Sequence, residues 1–456
     1  MSMSEMLDEQ IQNEKVYRCN LNEDSQLNEI TFKCGESGNI DSEIYSLFDF
    51  IDGKCVDRCL IKDRADMMFS YVEDNKYNGK YHYKRESQSG SSPQMDVKNL
   101  YGETKSLINL ASNDYLNLTK HPLVKKASIE AIEKYGVGTG SVPLLAGTLD
   151  IHNLLEKRLA EFKSCEDAML YTSGFGTNYG VLSTLLGPND IAILDRYVHA
   201  SIIDGCKHTN VKFFKHNDMK SLEQVLQRHG SKYSNVIVVV DGVYSMDGDI
   251  APLDKIVEVS HKYNALVMVD EAHATGVIGE NGKGTPDYHN VAGDVDIVVG
   301  TLSKGLGGVG GFVASDKKII NYLRHLSRPY FFSTSLPPSV TAAMIECLNV
   351  LEKEPCHQEK LWKNIKYFKN GVLDLGFNIG NSETAIFPII LGDDLKVIEM
   401  SVIMENEGVM VNPIPFPAVP RKLSRIRMTL TAGLTIDQLD HTLDTLKRAG
   451  EKLKII

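Results

Sequence analysis

The chain has 456 residues, of which 42% are hydrophobic and 24% charged, as is typical of a globular protein with a sizeable core. At about 100–200 residues per domain, this length predicts two to four domains. The formal net charge of −11 argues against a nucleic-acid or anionic-membrane surface as the main partner, because both require a basic field.

The N-terminal segment, residues 1–66, is predicted to be an extension of unknown role. It is polar apart from the apolar patch IYSLFDFI at 44–51. Its start, MSMSEMLDEQIQNEK, lacks the features of a secretory signal, and no apolar run reaches the ~18–20 residues of a spanning helix. A cytoplasmic location is therefore expected. Cys55 and Cys59 have no second pair at zinc-finger spacing, so reduced thiols and no metal site are expected.

Three further regions follow along the chain. Residues 67–105 predict a helix and then an extended, Gly/Ser-containing linker. In 106–340, amphipathic helical stretches alternate with short apolar runs such as NVIVVVD, ALVMVD and DIVVG, which predict an α/β domain with a mainly parallel sheet covered by helices. Residues 341–456 predict a smaller α+β domain. In parallel sheets of this kind, functional residues gather at the carboxyl ends of the strands.

The segment VDIVVGTLSKGLGGVGG contains the first candidate for chemistry. A buried strand is followed by Thr301, Ser303 and Lys304, and then by glycines that allow the backbone to pass close to a bulky group. A partly desolvated lysine can lose its proton and condense with a carbonyl to form a Schiff base. A surface lysine beside a flexible turn is the alternative.

Two other strand ends carry polar residues. In ALVMVDEAHATG, Asp270 could pair with a protonated pyridine nitrogen, and His273 could hydrogen-bond the ring oxygen. The alternative is that Asp270 caps a helix and His273 is a structural histidine. In DRYVHAS, His199 could stack on an aromatic ring.

A further segment, YTSGFGTNYG, predicts a helix start. Its free backbone N–H groups at Ser173, Gly174 and Phe175 could bind a phosphate. An ordinary turn has the same appearance, so this motif is weak when taken alone.

The order of these segments matters more than any one of them: a phosphate loop, a histidine, an aspartate and a lysine follow one another. The stretch from about 106 to 448 resembles the α-oxoamine synthases, fold type I pyridoxal-phosphate (PLP) transferases that join an amino acid to an acyl thioester and release carbon dioxide. The matching segments include NLASNDYLNL, SGFGTN, DRYVHASIIDGC, DGVYSMDGDIAPL, VDEAHATGVIGENGKG, GTLSKGLGGVGGF, RPYFFSTSLPPS and RIRMTLTAG.

The resemblance implies a role for each matching position. Lys304 would carry the cofactor as a Schiff base, Asp270 would face the ring nitrogen, His273 the ring oxygen and His199 the ring face. The other implied cofactor-binding residues are Ser173, Gly174, Phe175, Ser245, Thr301 and Ser303, together with Ser333 and Thr334, which would reach the cofactor of a partner subunit in a homodimer. Asn113 and Arg427 would hold the substrate carboxylate, and Arg425 is a weaker candidate.

The substrates are less well defined. HASIIDGC, RPYFFSTSLPPS, VNPIPFPAVP and GKYHYKR are most similar to bacterial members of the serine palmitoyltransferase type, which implies L-serine, a long-chain acyl-CoA and a place in sphingolipid biosynthesis. The alternatives are alanine with a pimeloyl thioester, giving 8-amino-7-oxononanoate, a glycine C-acetyltransferase-like reaction, and an acyl-carrier-protein donor. A simple aminotransferase is disfavoured by HASIIDGC and SMDGD. Pro143 lies where many members have an arginine, and Pro415 lies where some members have one. These departures put the identity of the substrates in doubt, but not that of the cofactor.

Overall fold

The structure is a computed structural model that describes residues 14–21, 26–34, 36–42, 45, 50, 60–81, 83–99 and 102–456. Cys55, Cys59 and most of the apolar patch at 44–51 lie outside the described residues. The predictions made for them stay predictions.

The N-terminal part contains short secondary structure before the central domain. Strands β1 and β2 pair antiparallel, and helix α1 begins a few residues before the predicted 67. Past α1, the segment predicted to be a linker forms strands instead, because Gln94–Lys98 alternates in burial and pairs with the strand that follows it. The elements are β1 (Glu14–Leu21), β2 (Gln26–Lys33), α1 (Ile61–Tyr77), β3 (Glu86–Ser87), β4 (Gln94–Lys98) and β5 (Thr104–Asn109).

The middle of the chain alternates helices and strands, as its hydrophobic pattern predicts. The apolar runs are short and β-branched, which suits strands that are buried on both faces. The elements are α2 (Pro122–Tyr135), α3 (Asp150–Phe162), β6 (Asp167–Tyr171), α4 (Gly174–Leu185), β7 (Ile191–Asp195), α5 (Ala200–Gly205), β8 (Asn210–Phe214), α6 (Met219–His229), β9 (Val236–Asp241), α7 (Leu253–Lys262), β10 (Leu266–Asp270), α8 (Thr285–Tyr288), β11 (Ile297–Thr301), β12 (Gly311–Ser315), α9 (Lys317–Leu326), α10 (Arg328–Phe331) and α11 (Pro338–Lys353).

These strands form one seven-stranded sheet in the order β6-β12-β11-β10-β9-β7-β8. β12 runs antiparallel to both of its neighbours, and the pairings from β11 to β8 are parallel. Every residue of β7, β9, β11 and β12 is buried. The mainly parallel, helix-covered sheet predicted from the sequence is therefore confirmed.

The C-terminal part has the predicted α+β character. β16 lies between β13 and β15 in an antiparallel three-stranded sheet. The elements are α12 (Cys356–Asp374), β13 (Ile386–Ile390), α13 (Asp394–Asn406), β14 (Val409–Met410), β15 (Asn412–Ile414), β16 (Arg425–Thr429) and α14 (Ile436–Lys452).

One pairing joins the two ends of the chain. β5 pairs in parallel with β14, so β3, β4 and β5 form a sheet with a C-terminal strand. The segment 86–109 therefore packs with the C-terminal part, although the sequence alone assigned 67–105 to an arm and 106 onwards to the large domain. Within the described parts of the chain, no helix combines the length and apolarity that a membrane span requires.

Candidate active site

Strand ends of the central sheet surround a cavity of about 270 Å³. β10 and β11 are adjacent parallel strands, so their carboxyl ends bring Asp270 and Thr301 to the same edge. Nine of the residues predicted from the sequence line this cavity: Ser173, Gly174, Phe175, His199, Asp270, His273, Thr301, Ser303 and Lys304. Tertiary folding thus gathers side chains that are spread over more than 130 positions of sequence.

The amine of Lys304 lies beside the imidazole of His273. Its Nζ is 2.8 Å from His273 Nε2. Burial is the main cause that lowers the pKa of Lys304 to about 8, although the Asp270 carboxylate opposes this shift. Burial, together with the positive charges of Lys304 and Arg427, holds the pKa of His273 well below its usual range. About a tenth of Lys304 is therefore unprotonated at pH 7, far more than of an ordinary lysine, and this is the form that attacks a carbonyl.

Asp270 is fixed by two hydrogen bonds at the end of β10. Its Oδ2 accepts from Asn178 Nδ2 at 2.6 Å, and its Oδ1 accepts from the backbone N–H of Ala272 at 2.8 Å. The residue is only 5% exposed. A buried carboxylate held in this way can stabilise a cation in the cavity, such as a protonated pyridine nitrogen.

The loop predicted to bind a phosphate begins helix α4. Ser173 is its N-cap, and the Ser173 hydroxyl accepts from the backbone N–H of Gly176 at 2.9 Å. A Cβ at Gly174 would lie 3.0 Å from Thr301, so a larger residue would force the loop and β11 apart by a few tenths of an ångström. The hydroxyls of Thr301 and Ser303 are 2.8 Å apart beside it. Backbone N–H groups of a helix start and two hydroxyls are suitable donors for a phosphate.

His199 lies at the mouth of the cavity as the N-cap of α5. Its Nδ1 is 2.7 Å from the Ser201 hydroxyl, which orients the ring. Phe175 contacts it edge-on, with ring centroids 6.5 Å apart. The groups around this cavity therefore fit PLP: an imidazole for the ring face, a carboxylate for the ring nitrogen, a lysine for the aldehyde and a helix start for the phosphate.

Arg427 and Asn113 form a second group next to this cavity. Arg427 Nη2 donates to Asn113 Oδ1 at 3.1 Å, and its Nε donates to the backbone carbonyl of Ser245 at 2.7 Å. Arg427 is 6% exposed, and burial lowers its pKa. The planar guanidinium and the amide are thus positioned together, as the predicted carboxylate-binding role requires.

Arg425 lies on the same strand but has different partners. It is 1% exposed, and its Nη1 donates to Asp247 Oδ1 at 2.7 Å and to the carbonyl of Met246 at 2.9 Å. Its Nε donates to the carbonyl of Leu423. These contacts make Arg425 a buried cross-link between β16 and the loop that follows β9. Its predicted substrate contact stays a prediction.

Ser333 and Thr334 lie away from Lys304. They line a separate cavity that also contains Pro143, Tyr171 and Tyr330. Phe332, next to Ser333, is 72% exposed. The structure therefore does not bring Ser333 and Thr334 to the Lys304 cavity of the same chain.

Three residues near the site were not singled out from the sequence. The Tyr115 hydroxyl is 2.6 Å from His273 Nδ1, Asn178 bonds to Asp270, and Asp241 lines the Lys304 cavity. Burial and the neighbouring Asp270 carboxylate raise the pKa of Asp241 well above its usual value. Asp241 could have been found from the sequence, since it ends the apolar run NVIVVVD as Asp270 ends the next one.

A family model and a curated relative both match most of this chain. Residues 105–446 match the family model described as aminotransferase class I and II. The 8-amino-7-oxononanoate synthase of Alkaliphilus oremlandii is 48% identical over 354 residues, which cover 77% of this chain and 90% of that protein.

Two solved structures are also similar. A serine palmitoyltransferase variant from S. paucimobilis, with a bound PLP–myriocin adduct, has a TM-score of 0.82 at 32% identity and covers 87% of this chain and 100% of that one. The 8-amino-7-oxononanoate synthase from Francisella tularensis has a TM-score of 0.66 at 28% identity and covers 77% and 99%.

Proposed function

Because this chain belongs to the α-oxoamine synthase family of PLP-dependent acyltransferases, we propose that it joins L-alanine to a pimeloyl thioester and forms 8-amino-7-oxononanoate, with release of carbon dioxide and the free thiol. The observation that carries the proposal is the 48% identity to an 8-amino-7-oxononanoate synthase, over 90% of that protein's length. The sequence segments favoured L-serine and a long-chain acyl-CoA instead. The comparisons move the preference to the alternative that the sequence left open.

The residues of the cavity fit the steps that this condensation requires. Bound PLP supplies a ring that withdraws electrons from the amino acid's Cα. Lys304, with its pKa lowered to about 8, would hold the cofactor, and its free amine would be placed to remove the proton from Cα. Asp270 would place a negative charge beside the ring nitrogen and so would favour its protonated form. Arg427 and Asn113 hold the carboxylate, and the orientation that they impose selects which bond to Cα breaks.

Serine and a long-chain acyl donor remain the second candidate. The observation that favours them is the TM-score of 0.82 to a serine palmitoyltransferase, against 0.66 to the Francisella synthase. Backbone similarity reports the fold, whereas side chains select substrates. The higher sequence identity to the synthase therefore has more weight.

We also propose that the active enzyme is a homodimer. Ser333 and Thr334 lie outside the Lys304 cavity of their own chain. Phe332, next to Ser333, is 72% exposed, and Leu145, next to Leu144 of the cavity that Ser333 and Thr334 line, is 79% exposed. Large exposed apolar side chains clustered near polar groups are typical of a subunit interface. In a dimer, the two hydroxyls would reach the cofactor phosphate of the partner subunit. A cytoplasmic location stays a prediction from the sequence.

One experiment separates the two candidate reactions. Purified holoenzyme is titrated with L-alanine, L-serine and glycine while the cofactor absorbance is followed, and thiol release is then measured with pimeloyl-CoA and palmitoyl-CoA. The proposal expects saturable spectral change with alanine and turnover with the pimeloyl thioester. A response to serine together with turnover of palmitoyl-CoA would replace it with the second candidate. Pimeloyl-carrier protein is tested in parallel, because the donor's carrier is not fixed by the cavity.

A further inference from the structure

Away from the cavity, two histidines and a glutamate from distant parts of the chain meet at one point. His121 is the N-cap of α2, Glu354 follows α11, and His357 lies in the first turn of α12. The Nε2 of His121 is 3.4 Å from Glu354 Oε2, and the Nε2 of His357 is 3.3 Å from the same oxygen. All three ligand atoms lie within 4.8 Å of one another.

These separations suit a tetrahedral zinc ion. With Zn–N and Zn–O distances of about 2.0–2.2 Å, two ligands of a tetrahedral site lie about 3.3–3.5 Å apart. Two neutral imidazoles and one carboxylate form a set that zinc accepts, with net charge −1 before binding. From the geometry of these three side chains, we propose that His121, Glu354 and His357 form a binding site for Zn²⁺, with the fourth position open to water.

The backbone around the three ligands is already held in place. The carbonyl of His121 accepts from the N–H of Lys125 at 3.0 Å, and the N–H of Glu354 donates to the carbonyl of Val350 at 2.7 Å. Beside His357, the Gln358 side chain donates to two backbone carbonyls, at 2.9 and 3.0 Å. Fixed backbones reduce the entropy lost when a metal orders its ligands.

The rings themselves favour coordination through Nε2. His121 is 13% exposed in its side chain, and its Nδ1 is buried without a hydrogen-bond partner. Its polar contact is therefore at Nε2, which faces Glu354. The Glu354 side chain is 36% exposed and the His357 side chain 25%, so an ion can reach the ligands from solvent.

The site would connect two parts of the molecule that matter for the chemistry. His121 lies six residues after Tyr115, on the segment that also carries Asn113. Glu354 and His357 flank the turn between α11, which packs against α2, and α12 of the C-terminal part. A bound ion would cross-link these segments and raise the temperature of unfolding, because it binds the folded chain preferentially.

The test uses full-length holoenzyme, with Zn²⁺ in competition with a chromophoric chelator. We expect one Zn²⁺ per chain and a rise in melting temperature, both absent with Mg²⁺, which prefers oxygen ligands. His357→Gln should weaken Zn²⁺ binding by at least about tenfold and remove the thermal effect. His208→Gln, at an exposed histidine, is the matched control and should behave like the wild type.

Further variants make the result decisive. Cys356 is exposed next to His357, so Cys356→Ser tests whether a thiol binds the ion instead. Retained binding in Cys356→Ser together with loss in His357→Gln and Glu354→Gln supports the site. Equal Zn²⁺ affinity in the wild type and in both His357→Gln and His121→Gln overturns it, as does loss of binding in Cys356→Ser alone. Cofactor absorbance confirms that each variant is folded.

Discussion

The Nε2 of His273 lies 2.8 Å from the Nζ of Lys304, while the opposite ring nitrogen lies 2.6 Å from the Tyr115 hydroxyl. Burial is the first cause that lowers the pKa of both the lysine and the histidine. A neutral imidazole that accepts from Lys304 at Nε2 has its proton on Nδ1, where it donates to Tyr115. The protonation state of Lys304 is therefore coupled, through His273, to Tyr115 on a distant part of the chain.

Removing the Lys304 amine tests the proposed cofactor attachment. Lys304→Ala should lose the Schiff-base absorbance and the borohydride-trapped cofactor, and its condensation activity should fall by at least about 10³-fold because nucleophile and base are lost together. The control is Lys318→Ala, which alters an exposed lysine on α9. Unchanged absorbance in Lys304→Ala would remove the lysine from its assigned role.

The lowered pKa of Lys304 predicts how the apoenzyme takes up PLP. Only the unprotonated amine condenses with the aldehyde, so the uptake rate should fall about tenfold per pH unit below its pKa of about 8 and level off above it. Stopped-flow absorbance between about pH 6.5 and 9 measures this rate. A plateau that begins only near the usual lysine pKa would contradict the effect of burial.

Tyr115→Phe removes the hydroxyl that orients His273. We expect the variant to fold and to bind PLP, but kcat should fall about tenfold, because one buried hydrogen bond of about 1–1.5 kcal/mol is lost next to the reacting lysine. The pH midpoint of the cofactor absorbance should also shift, which a purely structural defect would not cause. Tyr288→Phe, at a half-exposed tyrosine, serves as the control. An unchanged pH midpoint would show that the Tyr115 hydroxyl does not influence the Lys304 site.

Two arginines on β16 should give opposite results. Arg427→Lys keeps the charge but loses the planar fork, so the KM for the amino acid should rise about tenfold or more while PLP remains bound. Arg425→Lys breaks the fit of a buried cross-link to Asp247, so it should lower the free energy of unfolding by about 3 kcal/mol with little change in that KM. Steady-state kinetics and denaturant unfolding on both variants measure the difference. Matching effects would mean that both arginines have one role.

His216 predicts a dependence of stability on pH. Burial lowers its pKa, but hydrogen bonds of 3.0 and 2.8 Å to Asp195 and Asp249 outweigh this and raise the pKa to about 10. A raised pKa stabilises the fold fully below the unfolded value of about 6.5, and this contribution is lost as pH rises through 10. His216→Gln should therefore be less stable by on the order of 2 kcal/mol at pH 6, and the difference should shrink towards pH 10. A difference that does not vary with pH would contradict the charge on His216.

The central sheet follows directly from the sequence, because strands such as Val236–Asp241 consist of apolar β-branched residues that only a doubly covered sheet accommodates. The same rule indicated that Asp270 and Lys304 would be neighbours at one edge. The strand pairing of segment 86–109 with the C-terminal part could not be predicted from its own residues. Its strands are short and half-exposed, and the second partner of β5, beside β4, is a two-residue strand some 300 positions later.

The sequence by itself determined the family and the cofactor, because many matching segments follow one another in the family's order, and it identified the candidate lysine from one strand end and the glycine-rich loop after it. Only the tertiary structure decided which of two alternate residues on β16 meets Asn113 and which meets Asp247. It also decided that Tyr115 reaches His273, and that His121 meets Glu354 and His357. The physical reason is common to all three. Contacts between distant segments are fixed by how helices and strands pack, and residue spacing along one element contains no record of that packing.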